Sequence, residues 1–255
     1  MNERLVGILV DSLPKIILPG LTVTIPLTLI SFALALVIAV VTALIRFAHV
    51  PVLEQIVRFY VWFIRGTPVL VQLFVVFYGL PSVGILIDPF PAAVLCFSIN
   101  EGAYCSESIR AALESVPSGQ MEAGYCVGMT YLQTMRRIVL PQAMRTAFPP
   151  LFNSLIALVK DTSLAANITV TEMFMATQRI VSRVYEPLAL YIEVALVYLL
   201  FCVSRCGWGW KNYKQEVNTG EGPKMQDWMR GYLTYGLPLI VLFIFAFGLY
   251  DKFFA

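Results

Sequence analysis

Glu122-Ala123-Gly124-Tyr125-Cys126-Val127-Gly128, followed by Ile138-Val139-Leu140-Pro141, is the stretch that decides the fold. It is polar chain set between two apolar runs. Gly128 permits a positive-φ turn, so two short helices can meet there at a sharp angle. Apolar residues recur at near-helical spacing beyond it, which predicts a helix with Met129, Leu132, Met135 and Val139 on one side. Pro141 is expected to end that helix. The product would be a compact knob standing out of a larger apolar body. Glu122 gives the knob a charge able to engage a basic or donor-rich groove on a partner.

The body itself reads as a membrane protein. Of 255 residues, 58% are hydrophobic and only 13% charged, about half the charge of an ordinary soluble domain. Apolar runs of roughly 20 residues match a bilayer core about 30 Å thick. Candidate spans fall at 18–45, 59–80, 92–113, 188–203 and 233–249, and 147–159 begins a further one that continues less regularly past 160–163. Backbone groups in lipid must be satisfied locally, so each is expected to be a helix. Pro26 is expected to kink the first. The reading is an all-α membrane protein, five spans forming a core and one C-terminal helix lying apart from it. A polar segment with Gly220-Glu221-Gly222-Pro223 separates the two.

Lys and Arg set the orientation. They concentrate at 46–65, 110–145 and 205–230, whereas the opposite side carries only Arg4, Lys15, Arg179, Arg183 and Lys252. The richer side, with the knob, is expected to be cytoplasmic and both termini external. Residues 1–18 lack a basic start and an unbroken apolar core, so no cleavable signal peptide is expected. A net charge of +2 gives no reason to expect nucleic acid. The single histidine, His49, and the absence of Cys-x-x-Cys argue against a metal site. Cys202 and Cys206 lie one turn apart but have no third ligand nearby.

Charges within spans usually face a bundle interior or a water-filled path. Glu101, Glu107 and Arg110 sit in the third span, and Lys160-Asp161-Thr162-Ser163 interrupts the fourth. One reading is a structural ion pair, Glu107 with Lys160 or with Arg110. The other is a path for a zwitterion. Glu101 and Asp161 would then meet an ammonium group, Lys160, Thr162 and Ser163 a carboxylate, and Asn100 either end. Glu107 belongs to both readings.

The loop spacing is similar to that of bacterial ABC-importer permeases, whose pattern is Glu-Ala-Ala, three residues, Gly, nine residues, Ile-x-Leu-Pro. Glu122, Ala123, Gly128, Ile138, Leu140 and Pro141 match it; Gly124 replaces Ala, and Met129 follows the turn. Arg65-Gly66-Thr67-Pro68, Gln72-Leu73-Phe74, Tyr78-Gly79-Leu80-Pro81, Ala103-Tyr104 and Lys160-Asp161-Thr162-Ser163-Leu164 resemble the polar amino-acid branch of that family. The resemblance implies a permease domain over 18–208 with a cytoplasmic coupling loop at 115–145. A connector at 209–231 and an extra helix at 232–255 lie beyond it. It implies a permease subunit, in the bacterial cytoplasmic membrane, of an importer for a polar or cationic L-amino acid. Its partners would be an ABC ATPase dimer, a second permease subunit and an external solute-binding protein. No phosphate-cradling Gly-x-x-x-x-Gly-Lys-Ser/Thr loop occurs. This chain is therefore expected to bind no cofactor and to be no enzyme, with ATP and Mg on the partner ATPase. The alternative is an ATP-independent channel or secondary carrier, which would keep the buried charges without needing the loop. Gly in place of Ala at 124 is expected to loosen the first loop helix slightly, by roughly 1 kcal/mol.

Overall fold

The computed structural model describes residues 2–203, and every regular element among them is helical. The expected connector and C-terminal helix lie outside the described residues. Helix α1 (Asn2–Pro19) passes through a π turn (Gly20–Thr24) into α2 (Ile25–Phe47). Helix α3 (Leu53–Arg65) precedes α4 (Val69–Phe74), which runs on through a π turn (Val75–Gly79) and a 3-10 turn (Leu80–Val83). Then come α5 (Pro89–Glu114), α6 (Gly119–Cys126) and α7 (Tyr131–Thr134). A π turn (Met135–Val139) joins α7 to α8 (Leu140–Asp161). A 3-10 stretch (Thr162–Ile168) leads to α9 (Met173–Val184) and α10 (Pro187–Val203).

Three expectations need correction. The first helix does not begin near residue 18 but extends over Arg4–Phe47 as 44 residues. At 1.5 Å per residue that is about 66 Å, twice the bilayer core. Arg4, Asp11 and Lys15 dilute the apolarity of its early part, yet its packing face is complete. Ile16 is fully buried with Met173, Val194 and Val197, and Ser12 donates to Glu193 on α10 at 2.5 Å. The distortion expected at Pro26 takes the form of the π turn just before it. The second correction concerns 59–80, which is not one straight helix. It is bent by 101° between Leu53–Arg65 and Val69–Val83. Pro68 is extended at the bend, because its ring cannot continue a helix and disfavours helical geometry in the residue before it. Third, Pro141 does not end a helix. It stands in the first turn of α8, where its missing N–H is harmless next to the π turn.

By length and apolarity Arg4–Phe47 qualifies as a membrane span, and the bent α3–α4 pair as a second. The expected spans at 92–113, 147–159 and 188–203 fall within α5, α8 and α10. The core is built on α2 and α5 lying side by side. Ala35, Ala39 and Ala43 from α2 and Ala103, Cys105 and Ala112 from α5 are all buried. Small side chains let helices approach closely where lipid gives no hydrophobic drive. Outside this core Val37, Phe148 and Leu200 are more than half exposed, as a lipid-facing surface requires.

One acid unremarked in the sequence organises the far end of the bundle. Glu172 is fully buried and caps α9. Its carboxylate accepts from the backbone N–H groups of Phe174 at 2.8 Å and Met175 at 2.7 Å. The Tyr198 hydroxyl on α10 donates to it at 2.7 Å. Its substitution by alanine leaves three donors stranded. Glu172→Ala is therefore expected to cost about 3 kcal/mol or more, read as a lowered melting temperature in detergent. Tyr198→Phe is expected to cost clearly less, since it removes one donor and strands none; equal losses would refute this account.

Candidate functional site: an elbow and two membrane cavities

The polar stretch forms an elbow. Helix α6 ends near Gly128, whose φ of +79° turns the chain, as expected from the glycine. Thr130 then starts α7 with a reciprocal cap: Gln133 N–H donates to its hydroxyl, and Thr130 N–H donates to the Gln133 side chain at 2.9 Å. From Tyr131 onward the chain stays helical to Asp161. Met135 and Val139 pack against Ala39 and Ala43 of α2 and Ile109 and Leu113 of α5. The expected four-residue stripe is only partly realised: Leu132 is 74% exposed, and Thr134 is buried in its place. The π turn that begins at Met135 shifts the helical register, which sequence periodicity does not anticipate. Glu122 and Ala123 are exposed, Met129 and Ile138 half-buried.

Gly124 is no loosening defect. It is buried against Thr134, and a methyl group added there would lie 2.5 Å from the Thr134 hydroxyl and 3.0 Å from its Cβ. The small residue on α6 and the branched one on α7 close the elbow together. Thr134 is held in turn by donating to the Thr130 carbonyl at 3.1 Å.

The charged candidates for a path do not form one group. Asn100, Glu101 and Asp161 line a cavity of about 280 Å³ together with Thr67, Tyr104 and Ser154. Glu101 is 6% exposed. Lys160 and Ser163 instead line a second, largely apolar cavity of about 630 Å³ with Phe174, Tyr191 and Tyr198. Successive residues on a helix point about 100° apart, which separates Lys160 from Asp161. Thr162 is fully buried and donates to the Val159 carbonyl at 2.7 Å. The expected cationic half of a zwitterion site is thus absent from the acidic cavity among the described residues.

Glu107 makes one of its two expected ion pairs, the one with Arg110. It is bonded not to Lys160 but to Arg46 at the end of α2 and to Arg110, the latter at 2.9 Å. Arg110 reaches Glu114 at 2.6 Å. This ion cluster clamps α2 to α5 where α5 leads into the elbow.

Sequence reasoning overlooked Gln72 as a site residue. Its amide donates to the carbonyls of Ile64 at 2.8 Å and Thr67 at 3.2 Å and to the Thr67 hydroxyl at 2.8 Å. It accepts from Asn100 at 3.0 Å. Gln72 therefore mends the α3–α4 break and fixes Asn100 at the cavity wall. A lone glutamine beside Thr-Pro in an apolar run was the available signal.

Residues 34–207 match the family model described as the binding-protein-dependent transport system inner membrane component. The chain is 50% identical over 184 residues to the L-cystine transport system permease protein TcyB of Bacillus subtilis, covering 72% of this chain and 79% of that protein. It is 36% identical over 212 residues to the nopaline transport system permease protein NocM of Agrobacterium fabrum, covering 78% and 88%. Among solved structures, an amino acid ABC transporter crystallised with histidines is similar at 31% identity and a TM-score of 0.71, over 76% of this chain and 90% of that one. An inward-facing MetNI methionine ABC transporter shares the fold at 19% identity and a TM-score of 0.61, over 74% and 90%.

Gly124→Ala is expected to cost about 1–3 kcal/mol by overpacking the elbow. Trypsin cleavage at the exposed Arg136 and Arg137 should accelerate with it. Adding Thr134→Ala should restore most of the melting temperature and protease resistance. If the second substitution deepened the loss instead, the two residues would not be complementary.

Proposed function

Because the chain belongs to the binding-protein-dependent transport system inner membrane components, we propose that it carries a polar or cationic L-amino acid, energised through its elbow. It is the permease subunit of an ATP-driven amino-acid importer of the cytoplasmic membrane and is not itself an enzyme. ATP is bound with Mg and hydrolysed on a separate ATPase dimer. A second permease subunit completes the pathway, and an external solute-binding protein delivers the substrate. The elbow faces the cytosol and the N-terminus lies outside, in line with the concentration of Arg around 46–65 and 110–145.

One observation carries the coupling reading: exposed Glu122 and Ala123 sit on an elbow whose buried side is packed on α2 and α5. Residues Glu122 to Gly128 offer the contact surface. Ile138, Leu140 and Pro141 lie where the elbow enters α8, and Met129 and Gly128 shape its corner. Force on the corner reaches the core through Met135 and Val139.

The substrate reading rests on the acidic cavity. Glu101 and Asp161 share it with Asn100, and an ammonium or guanidinium group placed between two carboxylates offsets the cost of keeping them in the membrane. The Tyr104 hydroxyl at the same cavity supplies a donor for a carboxylate. Lys160, Thr162 and Ser163 take no part at this cavity, and Glu107 acts as a structural ion partner. Cystine, named for one relative, carries two ammonium groups and two carboxylates, so one of its ammonium groups can meet the two acids.

In proteoliposomes containing the permease, its ATPase and its binding protein, Glu101→Gln should reduce uptake of arginine, lysine or cystine about tenfold, as expected for losing one charge-assisted contact. Glutamine uptake should fall much less. Equal loss for every substrate would remove the specificity role. Deletion of 122–128 should abolish co-purification of the ATPase, while uptake persisting without any ATPase would point to a carrier.

A further inference from the structure

A basic cavity lies at the elbow end of the bundle, apart from the acidic one. It measures about 390 Å³ and is lined by Arg46, Arg58, Arg65, Trp62 and Gly66, with Glu107 as its one acidic wall residue. Three helices contribute: Arg46 from the end of α2, Arg58, Trp62 and Arg65 from α3, and Glu107 from α5, with Gly66 just after α3. Glu107 is already divided between Arg46 and Arg110. Arg58 is steadied by Glu54 one turn away at 2.5 Å. Arg65 has no carboxylate partner among the described residues; its guanidinium lies 5.1 Å from the Tyr104 ring centroid. Stacking on an aromatic face orients the planar fork while leaving its N–H groups free to bind. The wall thus holds guanidiniums in excess of carboxylates, with the forks preset.

The rim is as informative as the wall. Trp62 is 70% exposed, and Phe59 and Phe63 are 62% and 50% exposed on the same helix. Phe59 and Phe63 stack at 6.0 Å. Aromatic belts of this kind mark the membrane interface, and basic pockets between helices at the cytoplasmic interface suit phosphate headgroups. Guanidinium forks match phosphate oxygens in pairs.

From this we propose that the cavity bounded by Arg46, Arg58 and Arg65 is a binding site for a phosphate-bearing anion, as an acidic phospholipid headgroup or as free phosphate. The site stands independently of the amino-acid reading, since it shares no lining residue with the Glu101 cavity. An anion here bridges α2 and α3 beside the ion cluster that joins α2 to α5.

The test uses the purified full chain, delipidated in mild detergent. Micelles doped with phosphatidylglycerol should raise its melting temperature by about 3 °C over phosphatidylcholine. Arg58→Gln/Arg65→Gln should lose most of that rise. Inorganic phosphate, compared with chloride at equal ionic strength, is the second arm. A rise in both arms, each lost in the double variant, shows a site for the phosphate group itself; a rise with lipid alone assigns it to the headgroup. A rise with phosphate alone assigns it to the free ion. No rise in either arm, or a variant responding like the wild type, overturns the proposal. Should the variant fail to fold, native mass spectrometry of the wild type decides, using an equimolar lipid mixture and the same two phosphate and chloride buffers. Preferential retention of phosphatidylglycerol or of phosphate adducts supports the site, and retention of neither overturns it.

Discussion

A broken helix inside a membrane frees carbonyls that lipid cannot satisfy, and this chain depends on how it repairs that damage. Between α3 and α4 the chain turns through 101°. The carbonyls of Ile64 and Thr67 lose helical partners there, and the amide of Gln72 takes both. That leaves the Gln72 oxygen to accept from Asn100. The repair therefore does more than satisfy the backbone: it ties the bend to α5 and fixes one wall of the acidic cavity. At the other end Glu172 plays a comparable part, closing the start of α9 and receiving Tyr198 from α10. Two polar side chains thus hold two of the places where helices stop.

The charges are sorted with the same economy. Glu101 and Asp161, which form no salt bridge among the described residues, line one cavity, whereas arginines gather at the elbow end around Glu107. Arg65 and Tyr104 stand between these regions, since Tyr104 lines the acidic cavity and carries the Arg65 guanidinium on its face. The bundle thus keeps its buried acids and its arginines at separate cavities.

Much of this was legible from residues alone, for physical reasons. Gly128 announced its own positive φ because few other residues tolerate one. A long apolar run exposed the helical character of α2, and shorter apolar runs that of α5, α8 and α10. Pro141 misled because a proline in the first turn of a helix costs little, and nothing in local sequence reveals a preceding π turn. Residues 2–17 were missed because hydropathy averages over all faces of a helix, whereas Ile16 and Ser12 make their contacts on one. The grouping of Lys160 with Asp161 failed on simple helical geometry. Gly124 looked like a weak helix former; only the position of Thr134 shows it as half of a fitted pair.

The unbroken helical path from Tyr131 to Asp161 has one more implication. It spans about 46 Å at the usual rise, with the exposed corner at one end and the half-buried Asp161 at the other. A stiff rod of that length converts a small tilt at its foot into a lateral swing at its tip. The Pro149-Pro150 pair within it marks the point where such a rod would flex. Transmission from cytosol to solute would then need no chain of side-chain rearrangements, only leverage.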